Sequence, residues 1–211
     1  MMNSESRFPK KYFAVSLFFV VLLVVLFISS NVPIFSIGFL LDIIFIFGLI
    51  GFIFLLTGKD LIRNIIVSIL SLITTVLFIA DHIYYGNFKK FASVSSLNNL
   101  HMVLDNAEAY GVSLDIVSII LISICILLNV YIYSKKYDDT KLIDRIYYFY
   151  PSLLMFAPFL ITYYMAYNDI VKLDVILFPT RYKFPEFVKN FGYVVNRYED
   201  IAIMLDSTRG G

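Results

Sequence analysis

Residues 34–56 read IFSIGFLLDIIFIFGLIGFIFLL, an apolar run broken by a single charge at Asp42. A helix that crosses a bilayer needs roughly 20 such residues, because the hydrocarbon core is about 30 Å thick and each residue rises about 1.5 Å. Lipid offers the backbone no hydrogen-bond partner, so a run of this length is a transmembrane helix and not a barrel strand. Four more runs of the same kind surround it, and together they predict spans over 12–29, 34–56, 61–80, 116–133 and 146–167. Asn31-Val32-Pro33 closes the first run, and Thr57-Gly58-Lys59-Asp60 closes the second. The expected fold is an all-α integral membrane protein: a five-span domain over 1–167 and a juxtamembrane tail over 168–211.

Composition agrees. Hydrophobic residues make up 60% of the 211, and charged residues 16%, against about 25% charged in soluble domains. Mean hydropathy is +0.82. The first run is longer than a signal-peptide core and lacks a small-residue cleavage site, so it is expected to stay as a helix. Basic residues set the orientation. Arg7, Lys10 and Lys11 precede the first span, Lys59 and Arg63 flank the second turn, and Lys135, Lys136, Lys141 and Arg145 fill the fourth. By the positive-inside rule these regions face the cytoplasm, and an odd number of spans delivers the tail to the outside. The 16 tyrosines gather at the predicted span ends, where a ring in hydrocarbon and a hydroxyl in water suit the interface.

The segments outside the spans carry periodic apolar stripes. Tyr84, Phe88 and Phe91 share helical spacing, and with Tyr85 they form a candidate outer-loop aromatic face. Leu97, Leu100, Val103 and Leu104 form a second stripe, so the 81–115 loop is expected to hold amphipathic outer-surface helices. In the tail, Pro185 suits a first helical turn, and Phe184, Phe187, Val188, Phe191 and Val195 then line one face.

Two phrases in these segments have a likeness. Tyr84-Tyr85-x-x-Phe88-x-x-Phe91 follows the third span. The tail reads Phe187-Val188-Lys189-Asn190-Phe191-Gly192-Tyr193, then Asn196-Arg197-Tyr198-Glu199-Asp200. With five spans, these resemble the membrane half of lipoteichoic acid synthases, over residues 10–201. The resemblance implies a Gram-positive cell membrane, an amino terminus in the cytoplasm and an extracellular carboxyl terminus. In that family the five helices precede an extracellular domain of the sulfatase and alkaline phosphatase fold. That domain uses a threonine nucleophile and manganese to move glycerol phosphate from phosphatidylglycerol onto a growing polymer. The family's outer helix often has an arginine after the aromatic pair and an aspartate before the last phenylalanine, where this chain has Gly86 and Lys90.

No threonine here stands in the family's nucleophile context, Thr208 included, and no Asp/His/Glu cluster stands in its metal context. A sulfatase-fold domain needs roughly 300 residues. No catalytic residue is therefore assigned, and manganese is expected only in a domain absent from this chain. The expected role is a membrane module that anchors such a domain and presents membrane lipid, phosphatidylglycerol by resemblance. Lys172, Arg181, Lys183 and Lys189 are its candidate headgroup contacts, since basic residues near a surface attract anionic lipid. The alternative is a stand-alone, non-enzymatic membrane protein that binds a cell-envelope partner through its outer helices.

Asp42 is an intramembrane polar residue, a position often tied to function. Asp81 and His82 read as a polar cap on the third span. His101, Asp105 and Glu108 have helical spacing, but one histidine at an exposed place makes a poor metal site. Cys125 reads as a small buried residue. Pro151 and Pro158 are expected to kink the fifth helix, and Gly48 and Gly51 to permit close helix contact. A net charge of +1 with no basic stripe gives nucleic-acid binding no support.

Overall fold

The computed structural model describes residues 10–88, 91–92, 115–134, 142–168 and 184–209. Their regular structure is helical throughout. Four long helices come first: α1 (Lys10–Ser29), α2 (Ile37–Leu56), α3 (Asp60–Phe88) and α4 (Ile116–Ser134). The fifth hydrophobic element is segmented into α5 (Leu142–Arg145), α6 (Phe149–Leu153) and α7 (Ala157–Tyr167), joined by 3-10 turns at Ile146–Tyr148 and Leu154–Phe156. The tail helix is α8 (Phe184–Arg209). Five stretches are long and apolar enough to cross a membrane: Lys10–Ser29, Ile37–Leu56, Asp60–Gly86, Ile116–Ser134 and Ile146–Met165. The chain is an all-α, multi-pass membrane protein.

The end of the third helix differs from the sequence reading. The third helix does not stop at Ala80 but runs to Phe88: Asp81, polar by composition, is buried inside the bundle and paired there with Arg197. The outer helices expected in the 81–115 loop fall outside the described residues, except that residues 81–88 continue α3 and Phe91 and Ala92 follow it. The fifth element is segmented for a covalent reason. Pro158 has no N–H to serve the Leu154 carbonyl, and the N–H of Ala157 serves it instead in a tighter turn.

α2 is the hub of the bundle. It packs on α1, on the fifth element and on α8, but touches α3 little. Glycines make this close approach possible. A Cβ at Gly48 would lie 2.2 Å from the Met155 nitrogen, and one at Gly51 would lie 3.0 Å from the Pro151 Cβ. One end of the bundle is tied by charge. Asp60, fully buried, accepts from Lys11 at 2.7 Å and from Arg63 at 3.1 Å. Arg63 also donates to the Thr57 carbonyl at 2.9 Å, and Arg145 donates to the Leu56 carbonyl at 3.3 Å. A charge taken out of water is tolerated when it is paired and hydrogen-bonded in this way. Midway along, Asn129 joins α4 to α3 by donating to Ser71 at 3.2 Å beside the buried Cys125.

Candidate functional site: a carboxylate-clamped tail helix

The opposite end of the bundle holds the most elaborate polar arrangement among the described residues. It begins with a break in α8. Gly192 has φ 88 and ψ 171, far from helical values. This positive φ suits glycine. It cuts the helical ladder and leaves the next N–H groups without intrahelical acceptors, as at any helix start. Asp42 of α2 supplies what they lack. Its Oδ2 accepts from the Tyr193 N–H at 2.7 Å, and its Oδ1 accepts from the Val194 N–H at 2.9 Å. Asp42 thus acts as an N-cap provided by another helix.

Gly38, one turn before Asp42, makes the contact possible. A Cβ at Gly38 would sit 2.0 Å from the Val188 carbonyl oxygen. A Cβ at Gly192 would sit 2.6 Å from Asp42 Oδ1. The pattern Gly38-x-x-x-Asp42 therefore has two jobs on one face of α2: to admit the tail backbone, and to cap it.

A second carboxylate closes the clamp. Asp81 of α3 is fully buried. It accepts from the Tyr193 hydroxyl at 2.7 Å and from the Ala92 N–H at 3.0 Å, and it pairs with the Arg197 guanidinium. Arg197 also donates through Nε to the Tyr193 hydroxyl at 2.9 Å and through Nη1 to the Ala92 carbonyl. Tyr193 and Arg197 lie one turn apart, so both reach Asp81 from the same face of α8. The Tyr193 ring stands edge-on between Phe78 and Phe91, with centroids 5.1 and 5.4 Å away. Burial, and then the Asp81 charge, push the Tyr193 phenol well above its ordinary range, so it remains an O–H donor. Burial pulls the Arg197 guanidinium down, but Tyr193 and Asp81 outweigh it and hold the proton more tightly than usual.

The apolar side of α8 is buried as well. Phe187, Phe191 and Val195 pack on Phe159 and Met165 of α7, and Val188 joins the main core. Close by, His82 of α3 meets Asp115, which also accepts from the Ser118 N–H at 2.8 Å and so caps α4. Burial tends to raise the Asp115 carboxyl, but the bonds from Ser118 and His82 prevail and lower it.

The candidate residues of the sequence distribute as follows. Asp42 sits in the clamp. In the aromatic face, Tyr85 and Phe91 are buried and in ring contact, centroids 6.1 Å apart. Tyr84 is half-buried on α3, and Phe88 is that helix's last residue. Phe91 lies beyond the helix, so the shared face read from spacing is not a single helical stripe. Lys189 is exposed on α8, while Lys172, Arg181 and Lys183 lie outside the described residues, as do His101, Asp105 and Glu108. Among the described residues no three His, Cys, Asp or Glu side chains group as metal ligands.

Sequence reading did not join Asp81, Tyr193 and Arg197. The signal was the Tyr-x-x-x-Arg spacing directly after a glycine in an amphipathic helix. Chemically, both oxygens of each clamp carboxylate are engaged by donors, and the arrangement fixes a backbone rather than transforming a substrate. No family model, no curated protein and no solved structure matches the chain.

Proposed function

We propose that this chain is the membrane module of a glycerophosphotransferase of the lipoteichoic acid synthase type. On this reading it anchors an extracellular catalytic domain in a Gram-positive cell membrane and presents phosphatidylglycerol to it. The observation that supports the reading is the clamp on α8. Burying two carboxylates carries a desolvation cost, and here both are committed to the segment that follows the last span. A helix held at Tyr193, Val194 and Arg197 is fixed against the bundle, as a neck carrying a catalytic head would need to be. On this reading the phosphoryl-transfer chemistry, with its manganese and threonine, belongs to that extracellular domain.

In this reading Lys172, Arg181, Lys183 and Lys189 meet the lipid phosphate. Each basic residue near an anionic surface contributes about 1 kcal/mol. Native mass spectrometry of the 211-residue chain, released from nanodiscs of equal phosphatidylglycerol and phosphatidylcholine, tests this. Phosphatidylglycerol should be retained preferentially, and replacing the four basic residues by glutamine should abolish the preference. Equal retention of the two lipids by the unaltered chain would remove the lipid-presenting role.

A further inference from the structure

α2 and α3 follow one another in sequence, yet they diverge along most of their length. Between them lies a cavity of about 240 Å³. α1 floors it with the buried side chains of Phe19 and Leu23. Its walls include Leu49 of α2 and Leu70 and Leu77 of α3, all half-buried although they lie well within their spans. Tyr193 and Arg197 of the tail helix close one end.

Three properties identify the occupant. The first is position. The lining extends from Asp42 to Ile50 on α2 and from Leu70 to Phe78 on α3, about 12 Å along each helix. That is most of one leaflet of a hydrocarbon core about 30 Å thick. The second is continuity with the lipid-facing surface. Ile66 and Ile73 on α3, and Phe52 on α2, come next around their helices from the lining residues and are exposed, so the cavity is a lateral cleft in the bundle wall. The third is size and polarity. An apolar cavity of about 150 Å³ already takes benzene, and this one is larger and almost wholly aliphatic or aromatic.

We infer that the cleft takes one acyl chain of a membrane lipid, drawn from the leaflet on the side of the tail helix, and that it does not read the headgroup. The clamp supports the second half of this statement. Every guanidinium nitrogen of Arg197 already donates to Tyr193, Ala92 or Asp81, and both Asp42 oxygens are engaged. Three of the five N–H groups of Arg197 are thus held inside the clamp, which limits what the polar end of the cleft offers a lipid phosphate. The site is independent of the phosphatidylglycerol selectivity proposed above, which rests on other residues.

The test uses the full chain in phosphatidylcholine nanodiscs doped with a phosphatidylcholine that carries a diazirine midway along one chain. After irradiation, cross-links are mapped by peptide mass spectrometry. Labelling at Leu49, Leu70 and Leu77 should exceed that at the outward-facing Leu72 and Val130 by fivefold or more. Leu77→Trp, which fills the cleft, should lower labelling at Leu49 and Leu70 at least fivefold and leave Leu72 unchanged. Thr74→Phe is a second filling variant, and monodispersity with unchanged circular dichroism identifies those that fold. Cleft labelling no higher than at Leu72 and Val130 in the unaltered chain overturns the inference. So does unchanged cleft labelling in a folded filling variant. Phosphatidylcholine carries no net charge, so neither result depends on the anionic-lipid reading.

Discussion

A carboxylate inside an apolar helix is costly to hold, and at Asp42 the cost is offset by the two N–H groups that the break at Gly192 releases. The dependence is mutual, since the Tyr193 N–H is buried and the Val194 N–H partly so, and both would otherwise lack this acceptor. Asp42→Ala removes both acceptors at once. Leaving a buried donor unsatisfied costs about 1–3 kcal/mol, so the α8 seat should weaken by roughly 2 kcal/mol or more. Amide hydrogen exchange reads this directly: Tyr193 and Val194 should exchange at least tenfold faster, since each 1.4 kcal/mol is a factor of about ten. The Ser71 region of α3, remote from the clamp, should keep its rate. Unchanged exchange at the two amides would mean that the carboxylate does not cap the helix.

The elements show what hydropathy can and cannot convey. Each span was legible because a bilayer imposes a length and makes charge rare, a constraint that residues 34–56 meet with Asp42 as the one exception. The end of α3 was not legible. Asp81 looks like an exit from the membrane until its partner, Arg197, is brought back by the fold from far along the chain. Asp42 stood out as an anomaly, but its partners are backbone groups, which have no sequence signature beyond the glycine that frees them. The tail stripe of Phe187, Phe191 and Val195 was visible from spacing, while the surface it covers, Phe159 and Met165, was not. The same helix carries a pH dependence. Glu199 is half-buried with its Oε2 unpaired among the described residues, and burial raises its carboxyl to about 7. The neutral acid suits this site and the carboxylate does not. The associated stability is full below the unfolded value of 4.5 and is lost as pH rises through about 7. Thermal unfolding should therefore show the unaltered chain close to Glu199→Gln at pH 5 and less stable than it at pH 8. A constant difference between the two proteins across that interval would assign the raised value no role in seating α8.

At the scale of the whole molecule the two polar ends differ in sign and in task. Lys11, Arg63 and Arg145 gather at one end, around Asp60 and the carboxyl end of α2. The other end pairs Asp42 and Asp81 with the tail helix. Basic residues beside spans are retained in the cytoplasm, so the Asp60 end should face inward and the clamp outward. Single cysteines in a Cys125→Ala background test this, with native Cys125 removed although it is buried. Asn168→Cys reports on the clamp end and Ser134→Cys on the Asp60 end, both at exposed positions. In intact cells a membrane-impermeant maleimide should label Asn168→Cys, and should reach Ser134→Cys only after the membrane is permeabilised. The reverse pattern would invert the topology and place the tail helix in the cytoplasm, where no neck for an extracellular domain is needed. Equal labelling of both in intact cells would contradict the crossing of the fifth element, because Ser134 and Asn168 bracket that span alone.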